Sequence, residues 1–282
     1  EDVVIVSSSA TVNATNVQGF TAKSTTQQNN SAGATSAVLN AKDGVDVTID
    51  VSAATGSSKA FKLVGGTGKD TLKGGAGADI ITGGNDVDTI DGGGAIDTIS
   101  GGSGNEIITG GAGADIITID GDTDTVKDLG GASGTDSDVV IIKAGASLNA
   151  TDIKGFTATS ATQNNSTDAT KAVLNAIDGS NVTITVASAT GSSKAFKLVG
   201  GTGQDSLTGG AGADIILGNN ANDTLKGNAG NDVLTGGAGD DELHGGNDND
   251  TFNISAGSDT IKDLATGDVV VITGGSVVAE DV

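Results

Sequence analysis

Acidic side chains recur every nine residues along two stretches of the chain: Asp70, Asp79, Asp88, Asp97, Glu106, Asp115 and Asp124, then Asp205, Asp214, Asp223, Asp232, Asp241, Asp250 and Asp259. Ahead of them stand glycines at fixed offsets, clearest at Gly66 and Gly68, Gly75 and Gly77, Gly111 and Gly113, Gly201 and Gly203, Gly210 and Gly212, and Gly237 and Gly239. Glycine takes a positive φ without steric cost, so such a hexapeptide turns tightly and aims several carbonyls at one point. A carboxylate added to converging carbonyls is the donor set of a hard cation; Ca²⁺ takes six to eight oxygens at about 2.3–2.6 Å. Turn chemistry alone accepts Asn or Ser at the sixth position. Thirteen Asp and one Glu across the fourteen in-phase positions point instead to a requirement for charge.

Two residues beyond each acid lies an apolar side chain: Leu72, Ile81, Ile90, Ile99, Ile108, Ile117 and Val126, then Leu207, Ile216, Leu225, Leu234, Leu243, Phe252 and Ile261. Each is expected at the centre of a short strand and pointing inward. A longer period encloses the shorter one. Phe61-Lys62-Leu63-Val64-Gly65-Gly66-Thr67-Gly68 returns at Phe196–Gly203, an offset of 135 residues. Asp2-Val3-Val4-Ile5 returns at Asp138 and again, as Asp268-Val269-Val270-Val271, near the end. Tandem repetition on this scale marks an array, not a single globular core.

Gly65-Gly66-Thr67-Gly68-Lys69-Asp70-Thr71-Leu72-Lys73 and Gly74-Gly75-Ala76-Gly77-Ala78-Asp79-Ile80-Ile81-Thr82 resemble the GGxGxDxUx repeats of the RTX family of secreted bacterial proteins, over about half the chain. The resemblance implies an all-β, right-handed parallel β-solenoid, or β-roll, with two nonapeptides to a coil. Calcium would lie between turns eighteen residues apart. Asp70 would line up with Asp88 and Glu106, and Asp79 with Asp97 and Asp115, giving about five sites per block. The expected organisation is a Ser/Thr-rich solenoid segment at 1–64, a calcium roll at 65–129, a second solenoid segment at 130–199, a second roll at 200–264 and the start of a third unit at 265–282. That partial unit is expected to continue in further units or to dock on the first unit of a neighbouring copy. Asp86 and Ala95 in place of the third glycine, Glu106 in place of Asp, and Asn219-Asn220-Ala221 depart from the pattern and mark turns whose geometry is in question.

The segments between the blocks alternate, as in Val45, Val47, Ile49 and Val51 and in Val182, Ile184 and Val186, the mark of strands with one buried face. Ser24–Ser31 and Ser160–Thr167 read as exposed turns.

Composition narrows the function. The 282 residues include 47 Gly and only five Phe, with no Pro, Cys, Met, Trp or Tyr, so the core must be thin and regular. With 36 acidic residues against 14 Lys and no Arg, the net charge of −22 repels phosphate backbones and anionic bilayers. Nucleic acid and membrane insertion are therefore not expected, and a divalent cation is. His244 alone cannot build a zinc site and falls on an outward position. The Gly-Lys at 68–69 is followed by Asp70, where a phosphate loop needs Ser or Thr. Neither a GxSxG elbow nor an HExxH helix occurs, so no enzyme is expected. Asn13-Ala14-Thr15 and Asn149-Ala150-Thr151 match glycosylation sequons, as chance matches do in so Ser/Thr/Asn-rich a chain. An ice-binding roll needs a regular Thr/Asn row, and the third repeat position runs Thr67, Ala76, Asn85, Gly94, Ser103, Ala112.

One inward aliphatic side chain per nonapeptide contributes about 1.5–3 kcal/mol, less than the ordering cost of the whole nonapeptide, which is roughly 1–2 kcal/mol for every one of its backbone residues. The blocks are therefore expected to fold where calcium is abundant, outside the cell, after export by a type I route. The order of Ser/Thr-rich segments and RTX blocks is similar to that of bacterial S-layer and cyanobacterial fibrillar surface proteins. This similarity implies a structural cell-surface protein that self-assembles into a filament or lattice; the alternative is the repeat region of a large secreted adhesin.

Overall fold

The computed structural model describes residues 12–21, 37–54, 60–130, 136–166, 169–191 and 194–280. The segment Ser24–Ser31, expected as an exposed turn, lies outside them. The chain divides into two compact units, 1–127 and 128–282.

In the first unit, successive strands alternate between two parallel ladders. One contains Val12–Val17, Ala37–Ala41, Lys62–Thr67, Ile80–Asn85, Thr98–Ser103 and Ile116–Ile119. The other contains Phe20–Thr21, Thr48–Asp50, Thr71–Lys73, Thr89–Gly94, Ile107–Ala112 and Thr123–Lys127. A chain that visits two parallel ladders in turn and never reverses is a β-solenoid. Within the glycine-rich block the register advances by one coil of eighteen residues: Leu63 pairs with Ile81, Ile81 with Ile99 and Ile99 with Ile117 on one ladder. Leu72, Ile90, Ile108 and Val126 follow on the other. Before the block the coils are longer, since Ile49 pairs with Leu72 and Leu39 with Leu63.

The second unit repeats the plan. One ladder runs through Ser147–Ile153, Ala172–Ala176, Lys197–Val199, Ile215–Asn220, Val233–Ala238, Thr251–Ile254 and Val269–Ile272. Phe156–Thr157, Thr183–Thr185, Ser206–Thr208, Thr224–Ala229, Glu242–Asn247, Ser258–Ile261 and Ser276–Ala279 form another, and Val139–Ile142 pairs with Gln163–Asn164.

Side-chain alternation explains the core. In a strand such as Thr98-Ile99-Ser100 only the middle residue faces inward, and the inward aliphatic of every nonapeptide is buried. Stacked in register, these side chains form two files of Leu, Ile and Val with Phe252 among them. Phe61, Phe156 and Phe196 fill the wider coils outside the blocks.

Two expectations change. Val47, Ile49 and Val51 are buried, but Val45 is 41% exposed. It shares their parity, yet the strand begins only at Thr48, and Val45 rides on a turn made by Gly44 at φ 77°. The segment 160–166 is not an exposed turn. Thr162, Asn164 and Ser166 are buried, and Gln163–Asn164 pairs with Ile141 and Ile142. This is a coil with a polar interior. Asn164 Nδ2 donates to the Ala195 carbonyl at 2.5 Å, and its Oδ1 accepts from the Ser166 amide at 3.0 Å and hydroxyl at 2.5 Å. A buried amide so satisfied costs little, which lets a Ser/Thr/Asn run occupy the core.

Candidate metal centre

The acids form stacked rows. In the first unit Asp70, Asp88, Glu106 and Asp124 occupy one row, and Asp79, Asp97 and Asp115 the other; all are buried. In the second unit Asp205, Asp223, Asp241 and Asp259 stack in one row and Asp214, Asp232 and Asp250 in the other, equally buried. Each Oδ1 is held by the turn beneath. Asp88 accepts the Asp70 amide at 2.7 Å, Asp97 the Asp79 amide at 2.6 Å, Asp115 the Asp97 amide at 2.7 Å and Asp124 the Glu106 amide at 3.1 Å. Asp223, Asp232, Asp241, Asp250 and Asp259 accept in the same way at 2.7–3.1 Å.

The second oxygen behaves differently. Oδ2 of Asp70, Asp88, Asp97, Asp223, Asp232 and Asp250 is buried without a hydrogen-bond donor. At Asp70, Asp88, Asp97, Asp223 and Asp232 it lies over the first glycine of its own turn, facing the carbonyl of the next turn. The point where a Gly65 Cβ would stand is 2.6 Å from Asp70 Oδ2 and 2.3 Å from the Gly83 carbonyl oxygen. At Gly83 the corresponding distances to Asp88 Oδ2 and the Gly101 oxygen are both 2.4 Å. Only glycine leaves room there. Two lone-pair-bearing oxygens converging in a buried spot repel unless a proton or a cation lies between them. A cation that binds oxygen and tolerates carbonyl donors fits this set.

Three turns that match the motif well do not leave an oxygen open. Oδ2 of Asp79, Asp205 and Asp214 accepts the amide of Gly75, Gly201 and Gly210 at 2.7, 2.8 and 2.6 Å. Gly75, Gly77, Gly201, Gly203, Gly210 and Gly212 accordingly lie outside the positive-φ region. Gly66, Gly68, Gly111, Gly113, Gly237 and Gly239 occupy it, with φ from 99° to 136°. The self-closed turns are first in their rows and rest on the longer coils beneath, so that Asp79 and Asp214 reach the amides of Phe61 and Phe196.

The departures from the motif retain the turn. Asp86 and Ala95 both adopt φ 71°, the left-handed conformation of the glycine they replace, at a cost of about 1–2 kcal/mol each. Asn219-Asn220-Ala221 does not distort the stack, because Asn219 and Asn220 pair in register with Gly237 and Ala238. Asn219 takes φ 80° and its Nδ2 donates to the Gly200 carbonyl at 2.9 Å. Glu106 is pressed against Asp124, and burial followed by that contact raises its pKa.

A parallel β-solenoid with files of stacked glycine-acid turns offers the oxygen donor set of a cation-binding roll. Residues 64–99, 91–126, 197–225, 217–252 and 226–261 match the family model described as RTX calcium-binding nonapeptide repeat (4 copies). The two blocks are therefore RTX calcium-binding repeats. Comparison of the chain with curated proteins and with solved structures gave no match. No group of three or more His, Cys, Asp or Glu side chains with metal-holding geometry occurs among the described residues. This follows from a donor set in which backbone carbonyls carry much of the load.

His244 lies on the outer face, its Nε2 2.7 Å from Glu242 Oε1 and away from the acid rows. Among the described residues no helix is long and apolar enough to cross a membrane. Two acids were not anticipated as row members. Asp268 lies nine residues after Asp259 and accepts the Asp250 amide at 2.9 Å, and Asp263 lies at the head of the same turn. The nine-residue phase extends to Asp268, but its likeness to Asp2 and Asp138 assigns it instead to the start of a new unit.

Burial raises the acids' pKa values, to about 6 at Asp79, Asp241 and Asp250. They reach about 7 at Asp88, Asp214 and Asp223 and about 8 at Asp97 and Asp232, with row neighbours adding repulsion at Asp88, Asp223, Asp97 and Asp232. A carboxyl whose folded pKa exceeds its unfolded value of about 4 stabilises the fold fully below pH 4 and loses that contribution as pH rises through the folded pKa. Calcium-free protein is thus expected to gain β structure as pH falls from 8 to 5, protons standing in for cations. Circular dichroism in EGTA across this range tests it; a flat profile would contradict the buried, unneutralised carboxylates.

Proposed function

We propose that the chain is a structural segment of a secreted bacterial surface protein, ordered by extracellular calcium and able to assemble with copies of itself into a filament or lattice. The reading assigns calcium to the turns of Asp70, Asp79, Asp88, Asp97, Glu106, Asp115 and Asp124 and of Asp205, Asp214, Asp223, Asp232, Asp241, Asp250 and Asp259. The observation that carries it is the file of buried Oδ2 atoms facing carbonyls, repeated in two tandem units. Such a device costs folding energy in a calcium-poor cytosol and supplies it where calcium is millimolar. A calcium switch of this kind suits a protein exported unfolded.

A non-enzymatic role is supported by what the buried polar groups do. Each row member is committed to a turn, and a surface hollow lined by Ala14, Asn16, Val17, Gly19, Phe20 and Leu39 carries no titratable side chain. Self-assembly is supported by the tandem architecture, in which one 135-residue plan is laid down twice.

Negative-stain electron microscopy of the purified chain in millimolar calcium, and again after EGTA, tests the assembly. Filaments or sheets that appear only with calcium, with an axial repeat set by the units, are expected. Dispersed particles that order with calcium yet never associate would reject self-assembly and favour the spacer of a large adhesin, which needs the calcium roll but no lateral contacts.

A further inference from the structure

The outward side chains on the two long ladders of the second unit differ in kind. On the ladder from Ser147–Ile153 to Val269–Ile272, one outward row reads Val173, Lys197, Ile215, Val233, Thr251 and Val269. The row beside it reads Val199, Leu217, Thr235, Asn253 and Val271. Neither row holds an acid, in a chain with 36 of them. Val269 and Val271 are 51% and 41% exposed, and the other members are half-buried. On the ladder from Phe156–Thr157 to Ser276–Ala279 the outward side chains begin with Thr183, Thr185 and Thr208 and continue through Lys226, Glu242 and His244. There Lys262 pairs with Glu280 at 2.7 Å.

Strand propensity does not account for the contrast, since threonine suits a strand as valine does and fills the second ladder. The tandem repeat preserves the apolar side. Val38, Val64 and Ile80 of the first unit stand 135 residues before Val173, Val199 and Ile215, on the corresponding ladder. The other side changes character: Asp50, Lys73 and Asp91 are matched by Thr185, Thr208 and Lys226. In the first unit Asp120 reaches the apolar side, its carboxylate accepting from the Ser100 hydroxyl, so the side without a carboxylate belongs to the second unit.

We propose that this side of the second unit is where two copies of the chain pack together, sheet against sheet. The contact rests on the self-assembly reading and gives it a surface. Two features select a second copy as the occupant. Chains of net charge −22 repel one another, and least where no carboxylate stands. The Val, Ile and Leu ridges also recur at the spacing of a parallel ladder, about 4.8 Å, and a second ladder of equal spacing interlocks with them over several strands. The seven strands give a strip of about 30 by 10 Å, or roughly 600 Å² buried over both partners. A stable complex buries roughly 1,200 Å² or more, so one contact is weak and gains strength by repetition in an assembly.

Sedimentation velocity of the whole chain across a concentration series in millimolar calcium tests the face. Leu217→Glu is expected to need about tenfold more protein to reach the parent's degree of association. Ile215→Thr/Leu217→Thr/Val233→Thr, which keeps strand-forming residues should the charged variant fail to fold, is expected to do the same. Thr208→Glu, a charge set beside Lys226 on the other ladder, should associate as the parent does. Circular dichroism in calcium, matched to the parent's, separates a lost contact from a lost fold. If the parent associates and the folded face variants associate equally, this face is overturned and self-assembly stands. A parent that stays single at every concentration, even where it adheres to phosphatidylcholine vesicles, would overturn both.

Discussion

Stripping calcium with EGTA at pH 8 is expected to abolish the strand signal of both glycine-rich blocks and expose the amides around Leu72, Ile99, Leu225 and Leu243 to exchange. Restoring calcium should bring both back. At this pH the row carboxylates with pKa values of about 6 to 7 are largely ionised and Asp97 and Asp232, with values near 8, are about half so. Their Oδ2 atoms then face carbonyl oxygens and one another's charge with no donor. Each site filled at about a hundred times its Kd contributes about 2.7 kcal/mol and also cancels that repulsion. The coils outside the blocks have denser apolar interiors, with Val47, Ile49, Val51 and Phe61 in one unit and Val182, Ile184, Val186 and Phe196 in the other. They should lose protection last. Block amides that stayed protected in EGTA at pH 8 would show that aliphatic burial alone sustains the roll.

Gly84→Ala is expected to be among the most damaging single-methyl additions available. Gly84 has φ 123°, and its Cβ would stand 2.0 Å from the Gly66 carbonyl oxygen and 2.9 Å from the Gly66 nitrogen. These are backbone atoms of the turn beneath, so no side chain can swing aside, and the row must separate. The loss should be about 3 kcal/mol or more, combining backbone strain with the clash. Gly94→Ala is the control within the same block. Its φ is not positive and its nearest neighbours are 3.9 Å away, so alanine fits and should leave the melting temperature in calcium unchanged or slightly raised. Similar losses in the two variants would contradict the close vertical stacking of Gly84 on Gly66.

The nine-residue phase was legible because every element of it is local. An acid, a strand and one inward aliphatic two residues later repeat whatever lies beneath, so the inward residues from Leu72 to Val126 follow from spacing, while the eighteen-residue stacking of the acid rows was what the resemblance to RTX repeats implied. The state of each carboxylate was not legible, since it depends on residues eighteen to twenty-three positions away. Asp70 and Asp205 end nearly identical turns, Gly65–Asp70 and Gly200–Asp205, yet Asp205 Oδ2 accepts the Gly201 amide while Asp70 Oδ2 remains without a donor.

The polar coil at 160–166 failed as a sequence inference for a related reason. Ser, Thr and Asn read as surface until Ala195 and Ser166 are seen to satisfy Asn164. Val45 shows the converse, a residue of the right parity placed before its strand begins. Periodic, nearest-neighbour features were thus set by the chain's own repeat. The satisfaction of a buried polar group such as Asn164, whose amide donates to the Ala195 carbonyl, emerged only from the stacking of one coil on the next.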